Sequence, residues 1–255
     1  MADLDPRRQA LKDDFIANRG YWSALWDGVL ELAPDFFEAY SAFSSVPWKH
    51  GTLPPKIKEL IYVAIDASTT HLYNPGTRVH IANALKQGAT RDEVMEVLEI
   101  VSVLGIHTMS TGLPILIDEL RRSGRGSEVK EGPLSAEQER LKREFVDNRG
   151  YWNPVWEQLL QHSPAFFDAY SRLSSVPWQH GTLSPKVREL IYVAIDAATT
   201  HLYLPGLRVH IRNALGHGAT ADEIMEVLQL TSVLGIHTIT EGVPLLLDEM
   251  KKAGA

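Results

Sequence analysis

The chain of 255 residues contains no cysteine. That absence excludes disulfides, thiolate nucleophiles, thiolate metal ligands and iron–sulfur clusters at once. Basic runs are missing too: the formal net charge is −7, and no stretch of Lys and Arg is interleaved with aromatics. Such a chain disfavours nonspecific contact with nucleic acid or an anionic membrane, so neither is expected as a partner. Long apolar runs are scarce. The longest uncharged stretch, Ile100 to Ile117, carries Ser102, Gly105, His107, Thr108, Ser110, Thr111, Gly112 and Pro114, and its counterpart in the second half carries Glu241. It reads as a buried helical pair rather than a membrane span. The opening residues, MADLDPRRQALKDDF, lack the apolar segment of a secretory signal. A soluble, cytoplasmic protein is expected. Strand patterns are absent as well, because the β-branched run Ile61–Ile65 sits inside a longer helical pattern.

What the chain does have is an internal repeat. Leu11–Leu120 and Leu141–Met250 match without a gap at about 70 of 110 positions. Two long copies are too few for a solenoid and read as tandem domains, residues 1–122 and 137–255, joined by a Gly-, Ser- and charge-rich linker at 123–136. In the first copy the spacing predicts helices over about 6–18, 22–32 and 34–45, then a loop at Val46–Gly51. A long fourth helix is predicted from Thr52 to His71, a fifth over 75–87, and a sixth over 91–104 opened by a Thr90–Glu93 capping box. A last helix reaches about Arg122, with Gly105 as a bend and Pro114 as a kink. The fold class is all-α.

Chemistry concentrates in Glu59–His80, ELIYVAIDASTTHLYNPGTRVH, which returns as Glu189–His210. Leu60, Ile61, Val63, Ala64 and Ile65 demand burial. Glu59, Tyr62, Asp66 and Thr69 or Thr70 nonetheless share one stripe at i, i+3, i+7 and i+10 or i+11. Ionisable groups on a buried helix are costly unless paired or set in a cavity, and that cost marks a candidate site. Glu59 and Glu189 are candidate bases or relays to a histidine, against the alternative of a first-turn glutamate serving the helix dipole. His80 lies on a polar stripe with Asn83 and Gln87, and its equivalent is His210. His71 and His201 are further candidates. Tyr62, Asp66 and Arg78, with Tyr192, Asp196 and Arg208, are candidate substrate contacts, Arg78 as a carboxylate clamp. The alternatives are a structural Asp66 and an Arg78 that pairs with it. His50 and His107, with their second-copy equivalents His180 and His237, are weaker candidates. The Tyr21, Trp22 and Trp26 cluster reads as core or interface.

A metal set of His71, His80, His201 and His210 is conceivable. On one continuous helix, however, Glu59 and His71 would lie roughly 18 Å apart. An ion would have to draw on other helices or another subunit.

These residues resemble a known family. Lys58-Glu59-Leu60, Val79-His80-Ile81, Ala84-Leu85, Gly88-Ala89-Thr90, Asp92-Glu93 and Met95–Leu98 look like the carboxymuconolactone decarboxylase and alkylhydroperoxidase AhpD-like family. So do Arg188-Glu189-Leu190, His210, Gly218–Thr220 and Met225–Leu228 in the second copy. The resemblance implies an AhpD-like all-α fold and a homo-oligomer, with a trimer as a pseudo-hexamer favoured for a fused tandem. The peroxidase branch joins its Glu and His through a Cys-x-x-Cys pair. Here His71 and Asn74, or Tyr73 and Gly76, stand in place of those cysteines, so thiol peroxidase chemistry is excluded. The decarboxylase branch needs neither thiol nor organic cofactor.

The expectation is therefore a cofactor-independent, lyase- or isomerase-type enzyme acting on a small organic acid or lactone. Decarboxylation, lactone isomerisation and hydration all fit. Two alternatives stay open: a metal-dependent enzyme using a divalent transition metal, and a non-enzymatic oligomeric binding protein. The copies differ at Ser68/Ala198, Asn74/Leu204, Thr77/Leu207 and Thr111/Glu241, so their equivalence is itself open.

Overall fold

The computed structural model describes residues 5–253. The first four residues, which begin the segment read above as lacking a signal, lie outside the described residues, as do the last two. The first copy runs α1 (Pro6–Arg19), α2 (Asp27–Leu32), α3 (Pro34–His50), α4 (Pro55–Ala67), α5 (Asn74–Lys86), α6 (Arg91–Ser102) and α7 (His107–Arg122). The second runs α8 (Ala136–Arg149), α9 (Pro154–His162), α10 (Pro164–His180), α11 (Pro185–Ala197), α12 (Leu204–Gly216), α13 (Ala221–Ser232) and α14 (His237–Ala253). There is no strand among the described residues. One 3-10 turn joins α6 to α7 at Val103–Ile106, and another joins α13 to α14 at Val233–Ile236. The apolar stretches α6–α7 and α13–α14 are long enough to cross a membrane by length and composition. Both are broken by those turns, and both supply core and site residues.

The helix ends follow local chemistry. Asp5 accepts from the Arg8 N–H to cap α1, and Gly20 ends it in the left-handed region at φ 76°. Thr90 and Glu93 form the expected capping box on α6, as Thr220 and Glu223 do on α13. Two boundaries depart from the sequence reading. α3 does not stop at Ser45 but runs through Pro47 to His50. Proline lacks the N–H but keeps its carbonyl, which accepts from Lys58 Nζ at 2.6 Å and from the Gly51 N–H at 3.1 Å. α4 ends at Ala67 rather than at His71. The chain then turns through Ser68–Tyr73, with Leu72 at φ 51° and Leu202 at φ 49° in the equivalent turn. Ser68 is replaced by Ala198 in the second copy, so its hydroxyl is not the cause. What both turns share is the Tyr73 N–H on the Asp66 carbonyl, 2.8 Å, and the Tyr203 N–H on the Asp196 carbonyl, 2.9 Å.

α4 and α11 lie at the centre and pack on each other. Leu60, Ile61, Ala64 and Val97 share one apolar cluster with Leu190, Ile191, Ala194 and Val227, so the two copies are built around a common core. Reciprocal buried carboxylates link them. Glu226 of α13 accepts from the N–H groups of Thr52 and Leu53, at 2.6 and 2.9 Å, and pairs with Lys58 at 2.8 Å. Glu96 of α6 does the same for Thr182 and Leu183 at 2.6 and 2.9 Å, with Arg188 at 2.5 Å. A Cβ at Gly51 would come within 2.1 Å of Glu226 Oε1.

Candidate active site

Glu59, Tyr62 and Asp66 leave α4 on one face, and His80 and Asn83 leave α5 on the facing one. Because α4 and α5 pack together, the two polar stripes meet. His80 Nδ1 lies 2.6 Å from Glu59 Oε2, and Asn83 Nδ2 donates to Glu59 Oε1 at 3.5 Å. Tyr62 stacks on the imidazole at 4.5 Å between ring centres, and Tyr21 meets it edge-on at 6.5 Å. Glu59 accepts a hydrogen bond from Nδ1–H, which leaves Nε2 directed into the site, 4.0 Å from Asp66 Oδ2. The second copy repeats this: His210 Nδ1 to Glu189 Oε2 at 2.6 Å, Asn213 to Glu189 at 3.2 Å, Tyr192 stacked at 4.4 Å, and His210 Nε2 to Asp196 Oδ2 at 4.0 Å. Burial pushes the Asp66 carboxyl up to about 7, against the pull of His80 and with the repulsion of Glu59, and Asp196 rises to about 7 for the same reasons.

The far wall of each site belongs to the other copy. His237, which opens α14, sits with Nε2 3.8 Å from Asp66 Oδ1 and stacks on Tyr73 at 3.7 Å. Its Nδ1 is 2.6 Å from His71 Nε2, and Tyr73 Oη is 2.7 Å from Thr240 Oγ1. Burial drives His237 down to about 3, helped by His71 and His80. Reciprocally, His107 lies 3.9 Å from Asp196 and 2.7 Å from His201 Nε2, stacks on Tyr203 at 3.7 Å, and is driven down to about 3. Ser110 replaces Thr240 and meets Tyr203 Oη at 2.6 Å. The cavities are small and partly open, about 50 Å³ beside His80 and about 40 Å³ beside His210.

Of the residues singled out from sequence, Glu59, Tyr62, Asp66 and His80 come together, as do Glu189, Tyr192, Asp196 and His210. His71 and His201 do not join His80 and His210. Each meets a histidine of the other copy, so the four-histidine metal set is not assembled. With α4 ending at Ala67, the straight-helix separation of Glu59 and His71 no longer applies. Arg78 and Arg208 are exposed; neither pairs with Asp66 or Asp196, and neither lines the His80 or His210 cavity. His50 and His180 are exposed at the ends of α3 and α10.

Each cavity instead contains an arginine that was not among the candidate site residues, Arg19 or Arg149. Both are buried. Arg19 lies against the rings of Trp48, Tyr62, Tyr21 and Phe15, and its Nε and Nη1 have no hydrogen-bond partner. Arg149 Nε is likewise unpartnered, while its Nη1 donates to the Ser174 carbonyl at 3.4 Å. Their signal was the identical Asn-Arg-Gly-Tyr-Trp in both copies, which also reads as an ordinary helix stop. His107 and His237 were weaker candidates because nothing in sequence links them to the opposite copy.

The model of the carboxymuconolactone decarboxylase family matches residues 34–109 and 164–236, the segments that carry both Glu–His pairs. The chain belongs to the carboxymuconolactone decarboxylase family. A solved structure from Burkholderia xenovorans LB400, provisionally described as a gamma-carboxymuconolactone decarboxylase subunit, is 46% identical. It aligns over 98% of this chain and 100% of its own with a TM-score of 0.92. No curated protein matches the chain. Arg19 and Arg149 fall outside the family-matched segments, whereas Glu59, His80, Glu189 and His210 fall within them.

Proposed function

We propose that the protein is a carboxymuconolactone decarboxylase-like enzyme in which a Glu–His pair moves a proton on a small carboxylated lactone or organic acid. The observation that carries this reading is the juxtaposition, in one cavity, of His80 with its free Nε2 and the buried, under-partnered Arg19. A buried guanidinium stays charged and is costly without an anion. Substrate carboxylate is the anion suited to its planar donors. Arg19 therefore takes the clamping role that sequence had given to Arg78, and Arg149 takes that of Arg208.

For a decarboxylation, Arg19 holds a carboxylate that stays on the substrate. The bond to the departing carboxylate breaks, CO₂ leaves, and the electron pair enters the conjugated carbonyl system as an enolate. Protonated His80 returns a proton from Nε2 to carbon, and Glu59 steadies the imidazolium through Nδ1. Tyr62 fixes the plane of the ring. No thiol enters this sequence.

The test is CO₂ release from γ-carboxymuconolactone and a panel of small carboxylated lactones, using the full chain. His80→Gln combined with His210→Gln is expected to lower kcat by at least about 100-fold, the range for loss of a general acid or base. Undiminished turnover in that folded double variant would sink the reading. The same proposal includes a homo-oligomer. Phe36, Phe43, Ile115 and Leu116, with their equivalents Phe166, Leu173, Leu245 and Leu246, leave matching apolar side chains exposed on both copies. Light scattering on the eluting protein is expected to show three chains per particle.

A further inference from the structure

We propose that each junction between the copies binds a divalent transition-metal ion through two histidines and one aspartate: Asp66, His71 and His237 at one, and Asp196, His201 and His107 at the other. In each group the three donor atoms already lie within 4.8 Å of one another. The aspartates supply an independent sign of a missing partner. Asp66 is 1% exposed and its Oδ2 has no hydrogen bond; Asp196 is 0% exposed and neither of its oxygens has one. Buried carboxylates with oxygens that lack donors are rare and costly, and a cation bound by the same carboxylate, through Asp66 Oδ1 at one junction and Asp196 Oδ1 at the other, would offset that cost.

The donor chemistry narrows the ion. Two imidazoles and one carboxylate suit zinc, cobalt or ferrous iron, and three protein ligands leave a position open. Asp66 and His237 also line the His80 cavity, so an ion held here borders that cavity. Access is from outside, through a broad cleft of about 700 Å³ lined by His71, His237 and Glu241. The His71 and His237 nitrogens, 2.6 Å apart, are at hydrogen-bond distance. Two nitrogens on one tetrahedral ion lie about 3.3 Å apart, so an ion replaces the shared proton and parts the rings by less than about 1 Å.

Ion binding is read without substrate, so its failure leaves the Glu59–His80 proposal standing. Tag-free full-length protein is stripped with chelator and titrated with Co²⁺, then with Zn²⁺. The expected result is two ions per chain, with visible Co²⁺ absorption that Zn²⁺ abolishes. The composite geometry makes a sharper demand. His71→Ala with His237→Ala removes two ligands of one site and leaves one ion per chain. His71→Ala with His107→Ala removes one ligand from each site and leaves none. The reverse pattern, equal retention in both variants, or less than about a tenth of an ion in the unsubstituted chain overturns the proposal. Thermal melting of each variant without metal separates a lost ligand from a lost fold, and His→Gln at the same pairs repeats the test if an alanine variant fails to fold.

Discussion

Arg19 and Arg149 are where stability and function pull apart most clearly. A buried charge lacking a carboxylate partner is a poor way to stabilise a core, and replacing it with an apolar chain of similar length is often neutral or favourable. Arg19→Met with Arg149→Met is therefore expected to leave the melting temperature unchanged or higher. The same change is expected to raise KM at least tenfold, about 1.4 kcal/mol of lost binding. A variant that melts much lower and keeps its KM would show that the guanidinium is a packing element against Trp48 and Tyr62 instead. Glu59 stands in the opposite position, because its carboxylate is satisfied by His80 and Asn83. Glu59→Gln keeps the shape, removes the carboxylate that accepts from His80 Nδ1, and is expected to reduce kcat with little effect on KM.

Individual elements show which physical signals a sequence carries. The capping box on α6 is written within four residues, and Thr90→Ala is expected to cost about 1 kcal/mol by chemical denaturation. The Glu59–His80 contact was legible for a similar reason, since each residue lies on a polar stripe of its own helix and consecutive helices pack. The end of α4 was not legible. The stripe continues in register to Thr70, and what breaks the helix is the Tyr73 N–H closing on the Asp66 carbonyl. That turn holds Leu72 in the left-handed region with its side chain exposed. A branched residue there costs roughly 1–2 kcal/mol. Leu72→Gly is therefore expected to lie between neutral and about 1 kcal/mol stabilising, although it deletes a large apolar side chain. α3 was misread at Pro47 because the carbonyl's partner, Lys58, comes from the next helix.

At the scale of the whole molecule, the copies are interlocked by long-range contacts that no window of sequence displays. Glu226 is far along the chain from the N–H groups and the lysine it satisfies, and Glu96 mirrors it. Glu226→Ala would leave Lys58 buried without its counter-ion and two amides without acceptors. A loss of about 3–5 kcal/mol is expected. Gly51→Ala places a methyl group against the same carboxylate, and a loss of at least about 2 kcal/mol is expected, measured by denaturant titration. Either variant that melts normally would show the joint to be looser than its distances indicate.

His237 faces Asp66, and His107 faces Asp196, so the two candidate pockets are each co-authored by both halves of the internal repeat. Selection on one pocket therefore acts partly on the opposite half. The outer cleft beside His71 carries Glu241 from α14, and the equivalent residue of α7 is Thr111. A change at that position alters the charge before the first copy's site while leaving the first copy's own residues untouched. Fusion into one chain makes such a change heritable for one pocket alone, whereas a symmetric assembly of single copies would impose it on every pocket at once. The two pockets can thus diverge without either half losing its own Glu–His pair.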